Sequence, residues 1–82
     1  MIGTGMPSGS VKWFDPIKGY GFIVRDDGGP DVFVHVAQLG RCGLDTLKTG
    51  DKVAFELVSN RQSNKAEAAF IRLLAKRHMS LE

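Results

Sequence analysis

Lys18-Gly19-Tyr20-Gly21-Phe22-Ile23 is the stretch on which the fold turns. Read as a strand, its two-residue period sends Tyr20 and Phe22 to one face and Gly21 and Ile23 to the other. One face is aromatic and the other is thin backbone, and Lys18 shares the parity of the rings. Two readings fit this stretch alone. The rings form a small core, or they lie with a cation on an open sheet, giving π faces to unpaired bases and charge to phosphates.

Downstream, Asp26-Asp27-Gly28-Gly29-Pro30 has the acidic and glycine chemistry of a hairpin loop. It leads into Asp31-Val32-Phe33-Val34-His35, where Val32 and Val34 share one face and Phe33 and His35 the other. Antiparallel pairing would set Phe33 and His35 beside Tyr20 and Phe22. Val32, Val34 and Ile23 already supply a core, so two matching aromatic faces favour the open sheet.

Upstream, Ser10-Val11-Lys12-Trp13-Phe14-Asp15 is a short β-rich run. Strict alternation pairs Val11 with Trp13 and Lys12 with Phe14. Either Trp13 is core, or a bulge re-aims it so that Trp13 and Phe14 share the outer face. Asp15-Pro16 starts a turn, and Ile17-Lys18 leads into the second strand, which runs to about Arg25.

Beyond His35, Val36-Ala37-Gln38-Leu39 suits a single helical turn, followed by a long irregular connection through Cys42 and Gly43 to Asp51. Lys52 to Val58 alternates as a half-buried strand with Val53, Phe55 and Leu57 inward. After the polar loop Ser59 to Lys65, a last strand from about Glu67 to Leu74 places Ala69, Ile71 and Leu73 inward, and Phe70 and Arg72 outward. Five short strands separated by turns, with no long 3.6-residue period, predict an all-β fold, a five-stranded antiparallel barrel. The domain is expected to span residues 9–74, with residues 1–8 and 75–82 as flexible termini, native or appended.

Eighty-two residues suit one small domain, with 43% hydrophobic and 24% charged residues. A net charge of +2 does not by itself announce a nucleic-acid partner, so any electropositive face depends on where the cations sit. Cys42 is the one cysteine, which excludes an internal disulfide and fits a reducing compartment. No apolar run approaches the ~20 residues of a membrane span, and no secretory signal pattern opens the chain. A cytoplasmic location is expected, with no membrane partner.

An enzyme has little support. His35 and His78 have no serine, cysteine or carboxylate at a telling spacing, and one Cys with two distant His lacks metal-ligand spacing. Gly19-x-Gly21 lacks the third glycine and following helix of a dinucleotide loop. No cofactor, metal or small-molecule substrate is expected.

Val11-Lys12-Trp13-Phe14, Lys18-Gly19-Tyr20-Gly21-Phe22-Ile23 and Asp31-Val32-Phe33-Val34-His35, in this order and spacing, resemble the bacterial cold-shock proteins, whose domain is also the Y-box domain. The similarity runs from about Gly9 to Leu73. It implies an OB-fold barrel that binds single-stranded RNA and DNA as a monomer. It further implies an RNA chaperone and a regulator of transcription or translation. Carried over by motif position, the binding residues are Lys12, Trp13, Phe14, Lys18, Tyr20, Phe22, Phe33 and His35. Lys65, a cation at the end of the polar loop, is added as a phosphate contact. The resemblance also favours the outward setting of Trp13.

Four positions depart from the family pattern. Asp15 stands where asparagine is frequent, Val36 where many members have phenylalanine, Leu44 where several have a ring, and Phe70 where asparagine is usual. An RNA-recognition motif shares the Lys-Gly-aromatic-Gly-aromatic signature, but this chain has no room for its two helices. A small barrel gripping extended or proline-rich peptides is the rival of another class, and it leaves Lys12, Lys18 and Lys65 without a role.

Face assignment is directly testable. Phe55→Ala should cost about 3–5 kcal/mol of stability, as loss of a buried ring does. Phe33→Ala should leave the fold largely intact. Urea denaturation of both variants checks this, and the reverse ranking would invert the two faces.

Overall fold

The computed structural model describes residues 7–60 and 65–75. In chain order the elements are β1 (Ser8–Asp15), β2 (Tyr20–Arg25), β3 (Val32–His35), α1 (Val36–Arg41), β4 (Lys52–Asn60) and β5 (Lys65–Ala75). The strands close into a barrel in the order β1-β2-β3-β5-β4, with β4 pairing back onto β1. The all-β, five-stranded reading therefore holds, with one difference in detail. β3 and β5 run parallel, meeting at Phe33 and Glu67, while the other pairings are antiparallel. The long connection through α1 and β4 makes room for this, since parallel strands need a crossover rather than a hairpin.

Val11, Ile23, Val32, Val34, Val53 and Phe55 point inward from four strands and are buried, joined by Ile71 from β5, Leu39 from α1 and Leu47 from the β4 approach. Each such side chain contributes roughly 1.5–3 kcal/mol when fully buried, so this shared interior holds the strands in register. No helix among the described residues is long and apolar enough to cross a membrane.

β2 starts later than the sequence suggests. Asp15 Oδ1 accepts hydrogen bonds from the amides of Ile17 (2.9 Å) and Lys18 (3.1 Å), and its carbonyl accepts from Gly19 (2.7 Å). Gly19 sits at φ +84°, where a glycine carries no penalty. The Asp15 carboxylate thus does the turn's capping work. Lys18 belongs to this turn and not to the strand, so the parity that aligned it with Tyr20 and Phe22 does not apply.

At the opposite end of the barrel, Asp26 ties three elements together. Its carboxylate accepts from Lys52 Nζ (2.6 Å) at the head of β4 and from Ser8 Oγ (2.7 Å) in β1. The Lys52 bond, then the Ser8 bond, hold its pKa below the ordinary 3.8. A carboxyl whose folded value is depressed stabilises the fold fully above its unfolded value. That contribution is lost as pH falls through the folded value. Asp26→Asn should therefore be less stable than the wild type at neutral pH, and the gap should close as pH falls below the ordinary carboxylate range. Thermal melts across that range check it. A gap independent of pH would show that the carboxylate charge is not what stabilises this corner.

Candidate nucleic-acid interface

The β1–β2 register decides where Trp13 points. Val11 pairs with Ile23 and Trp13 with Phe22, so β1 spends two residues against one on β2. Lys12 is the extra residue of a β-bulge. The bulge turns Trp13 onto the face of Tyr20 and Phe22, leaving it 38% exposed. Because the bulge falls before Trp13, normal alternation resumes at once. Phe14 pairs with Gly21, is half-buried and packs against the core. The expectation that Trp13 and Phe14 share the outer face is thus corrected. Of the two readings of Trp13, the bulge is the one the fold takes, but its position separates the two rings.

β3 adds its own rings in the expected register, His35 across from Tyr20 and Phe33 across from Phe22. The result is a continuous aromatic face over three strands. Trp13 meets Tyr20 at 5.6 Å between centroids and Phe22 at 5.4 Å. Phe33 meets Tyr20 and Phe22, each at 5.7 Å, and His35 at 6.4 Å. These spacings are those of favourable aromatic pairs, so the rings order one another while the cluster stays open to solvent.

Two cations adjoin this face along the chain, Lys12 one residue before Trp13 and Lys18 two before Tyr20. Lys12, at the bulge, donates from Nζ to Asp31 Oδ2 (3.1 Å), a pairing that the sequence did not announce. Both side chains are substantially exposed, so the pair holds weakly, at about 0–1 kcal/mol. Lys18 is exposed in the β1–β2 turn, beside Tyr20. Lys65 opens β5, and its side chain lies outside the described residues. Among the described residues, no group of three or more His, Cys, Asp and Glu side chains could hold a metal ion.

Two family departures also find their places. Val36 is half-buried; its amide donates to the Gly19 carbonyl (2.8 Å), and its Cγ1 lies 3.2 Å from where a side chain at Gly19 would start. Leu44 is drawn inward by the end of α1. Gly43, at φ +77°, donates its amide to the Gly40 carbonyl (3.1 Å), and the Leu44 amide donates to the Leu39 carbonyl (2.8 Å). This is a Schellman ending, whose hydrophobic contact carries Leu44 against the core.

The family model described as "'Cold-shock' DNA-binding domain" matches residues 7–74. A probable cold shock protein of Sinorhizobium fredii is 52% identical over 63 residues, covering 77% of this chain and 91% of the relative. Cold shock protein CspA of Rhizobium meliloti is 46% identical over 67 residues, covering 82% and 97%. Cold shock protein ScoF of Streptomyces coelicolor is 44% identical over 62 residues, covering 76% and 92%.

One side chain of the aromatic face is fixed more closely than its type requires. His35 caps α1, and its Nδ1 accepts from the Ala37 amide at 3.0 Å. A neutral imidazole accepting at Nδ1 must carry its proton on Nε2. The ring therefore presents a donor to whatever lies on the face. Nitrogen-15 NMR at neutral pH should show Nε2 protonated and Nδ1 bare. The opposite tautomer would mean that the cap is not formed in solution.

Proposed function

This chain belongs to the cold-shock domain family, a family of nucleic-acid-binding domains, and from that premise we propose that it grips unpaired RNA or DNA as a monomer in the cytoplasm. The observation that carries the reading is the five-ring face of Trp13, Tyr20, Phe22, Phe33 and His35, each ring in contact with another. Bases leave one another and stack on these rings, each stack worth about 1–3 kcal/mol. That exceeds the exposed Lys12–Asp31 pair, so an arriving phosphate can take Lys12 from Asp31 at little cost. Lys18 takes phosphate at the other end, with Lys65 as a further contact. Phe14 contributes chiefly by holding the backbone beneath Trp13, since most of its ring is committed to the core.

A duplex hides its base faces, so the site rewards only unpaired strands. By mass action it disfavours hairpins without any nucleotide hydrolysis, which is the physical content of an RNA-chaperone role. Control of transcription or translation would follow from the same shift where a hairpin sets the outcome. The chemistry is stacking and charge neutralisation, with no catalytic step.

Trp13 reports from inside the site. Single-stranded pyrimidine-rich oligonucleotides should quench its fluorescence and bind far more tightly than the same sequence as a duplex. Affinity should fall with salt, and Lys12→Ala with Lys18→Ala should flatten that slope by nearly two phosphates' worth. Equal binding to duplex would sink the stacking mechanism. Quenching by a proline-rich peptide with no salt response would favour the peptide-binding alternative.

A further inference from the structure

β5 carries an unusual residue outside the five-ring face. Ala54 pairs with Arg72, but Glu56 pairs with Ala69, so β5 spends an extra residue here. Phe70 occupies the bulge at φ +50°, the sole non-glycine with positive φ among the described residues, and is 65% exposed. Left-handed backbone suits glycine or asparagine, whereas a bulky ring there is strained. An apolar ring that is both strained and exposed serves neither core nor turn. Such outliers collect at functional sites.

Phe70 lines one side of a groove of about 280 Å³, with Val58 and Ala69 from the β4–β5 ladder and Gln38, Arg41 and Cys42 from α1 and its end. Among the described residues, the lining holds one cation and no carboxylate. We infer that this groove is a further nucleotide subsite for the single strand. Phe70 stacks a base, Arg41 meets its phosphate and Gln38 reaches the base edge. The inference rests on the single-strand reading and extends it beyond His35.

Three observations favour a nucleotide. Charge complementarity is the first, since an aromatic face beside an exposed guanidinium matches a base and its phosphate. Continuity is the second. His35 caps α1, and Gln38 lies less than one turn further on. In the parallel register Phe33 faces Glu67, so Phe70 lies three residues along β5, roughly 10 Å away. Arg41 lies on the α1 side of this path. The third observation disfavours a second copy of this chain. A two-fold contact centred on the groove would bring Arg41 towards its own image, with no carboxylate among the described lining residues to meet it.

The test uses Phe70→Asn, because asparagine accepts φ +50° and keeps the bulge, together with Arg41→Gln. Affinity is measured with oligonucleotides of about 4 and about 8 nucleotides, within the site sizes of such barrels. Phe70→Asn should weaken the longer strand about tenfold and the shorter less than twofold. Arg41→Gln should flatten the salt slope by about one phosphate's worth with the longer strand only. Equal losses at both lengths, or none at either, would overturn the subsite while leaving the five-ring face standing. Self-association by sedimentation that Phe70→Asn abolishes, with long-strand affinity kept, would overturn it in favour of a second copy. Failure of the wild type to bind either length would overturn the single-strand reading itself.

Discussion

Between Gly21 and the carbonyl of Trp13 there is space for a hydrogen atom and nothing larger. A methyl group at Gly21 would lie 2.2 Å from that oxygen and 2.7 Å from the Cα of Phe14, and neither atom can move without taking β1 with it. This contact sets how β1 crosses β2, and so where Trp13 stands over Tyr20 and Phe22. Gly9 makes a similar approach at the other end, where a side chain would start 2.3 Å from the Val24 carbonyl. The aromatic face is wide because the backbone behind it is pinched. The glycines and the rings of this hairpin are therefore one device: side-chain bulk on one surface depends on its absence from the other.

The sequence disclosed this device in part, for reasons that differ by residue. The hairpin joining Tyr20–Phe22 to Phe33–His35 was legible because two strands alternate in step around a short turn, and alternation fixes both face and register. Trp13 and Phe14 were not separable in that way. A bulge is one unpaired residue, and Lys12 carries no mark of being it. Lys18 was misplaced because strand parity was extended through a turn that Asp15 caps. The parallel β3–β5 contact is a matter of topology, which local patterning does not encode. Leu44 could have been foreseen from Gly43, since a glycine just past a short helix signals an ending that sends the next apolar residue inward.

Phe70 lies beyond any such reading. Nothing in Ala68-Ala69-Phe70-Ile71 predicts a left-handed residue, and period two places the ring outward with no hint of strain. Only the register across to β4 shows the extra residue. Ala54 faces Arg72 and Glu56 faces Ala69, so β5 spends three steps against two on β4. The charges tell a related story at lower energy. Lys12 looks from the sequence like an unattached cation, and the fold lends it Asp31 as a resting partner.

Barrel closure has a further consequence, for motion. β4 and β5 are laddered from Lys52–Ala75 to Asn60–Lys65, whereas β3 and β5 share the single register pair Phe33–Glu67. This seam is the shortest ladder of the sheet, a place where local opening costs few backbone hydrogen bonds. All five rings lie on the β1–β2–β3 side, so the face keeps its shape while the seam opens. The groove beneath Phe70 is different, for α1 forms one bank and β5 the other. Whatever fills it staples the seam shut, so a molecule bound there would make the whole barrel slower to open.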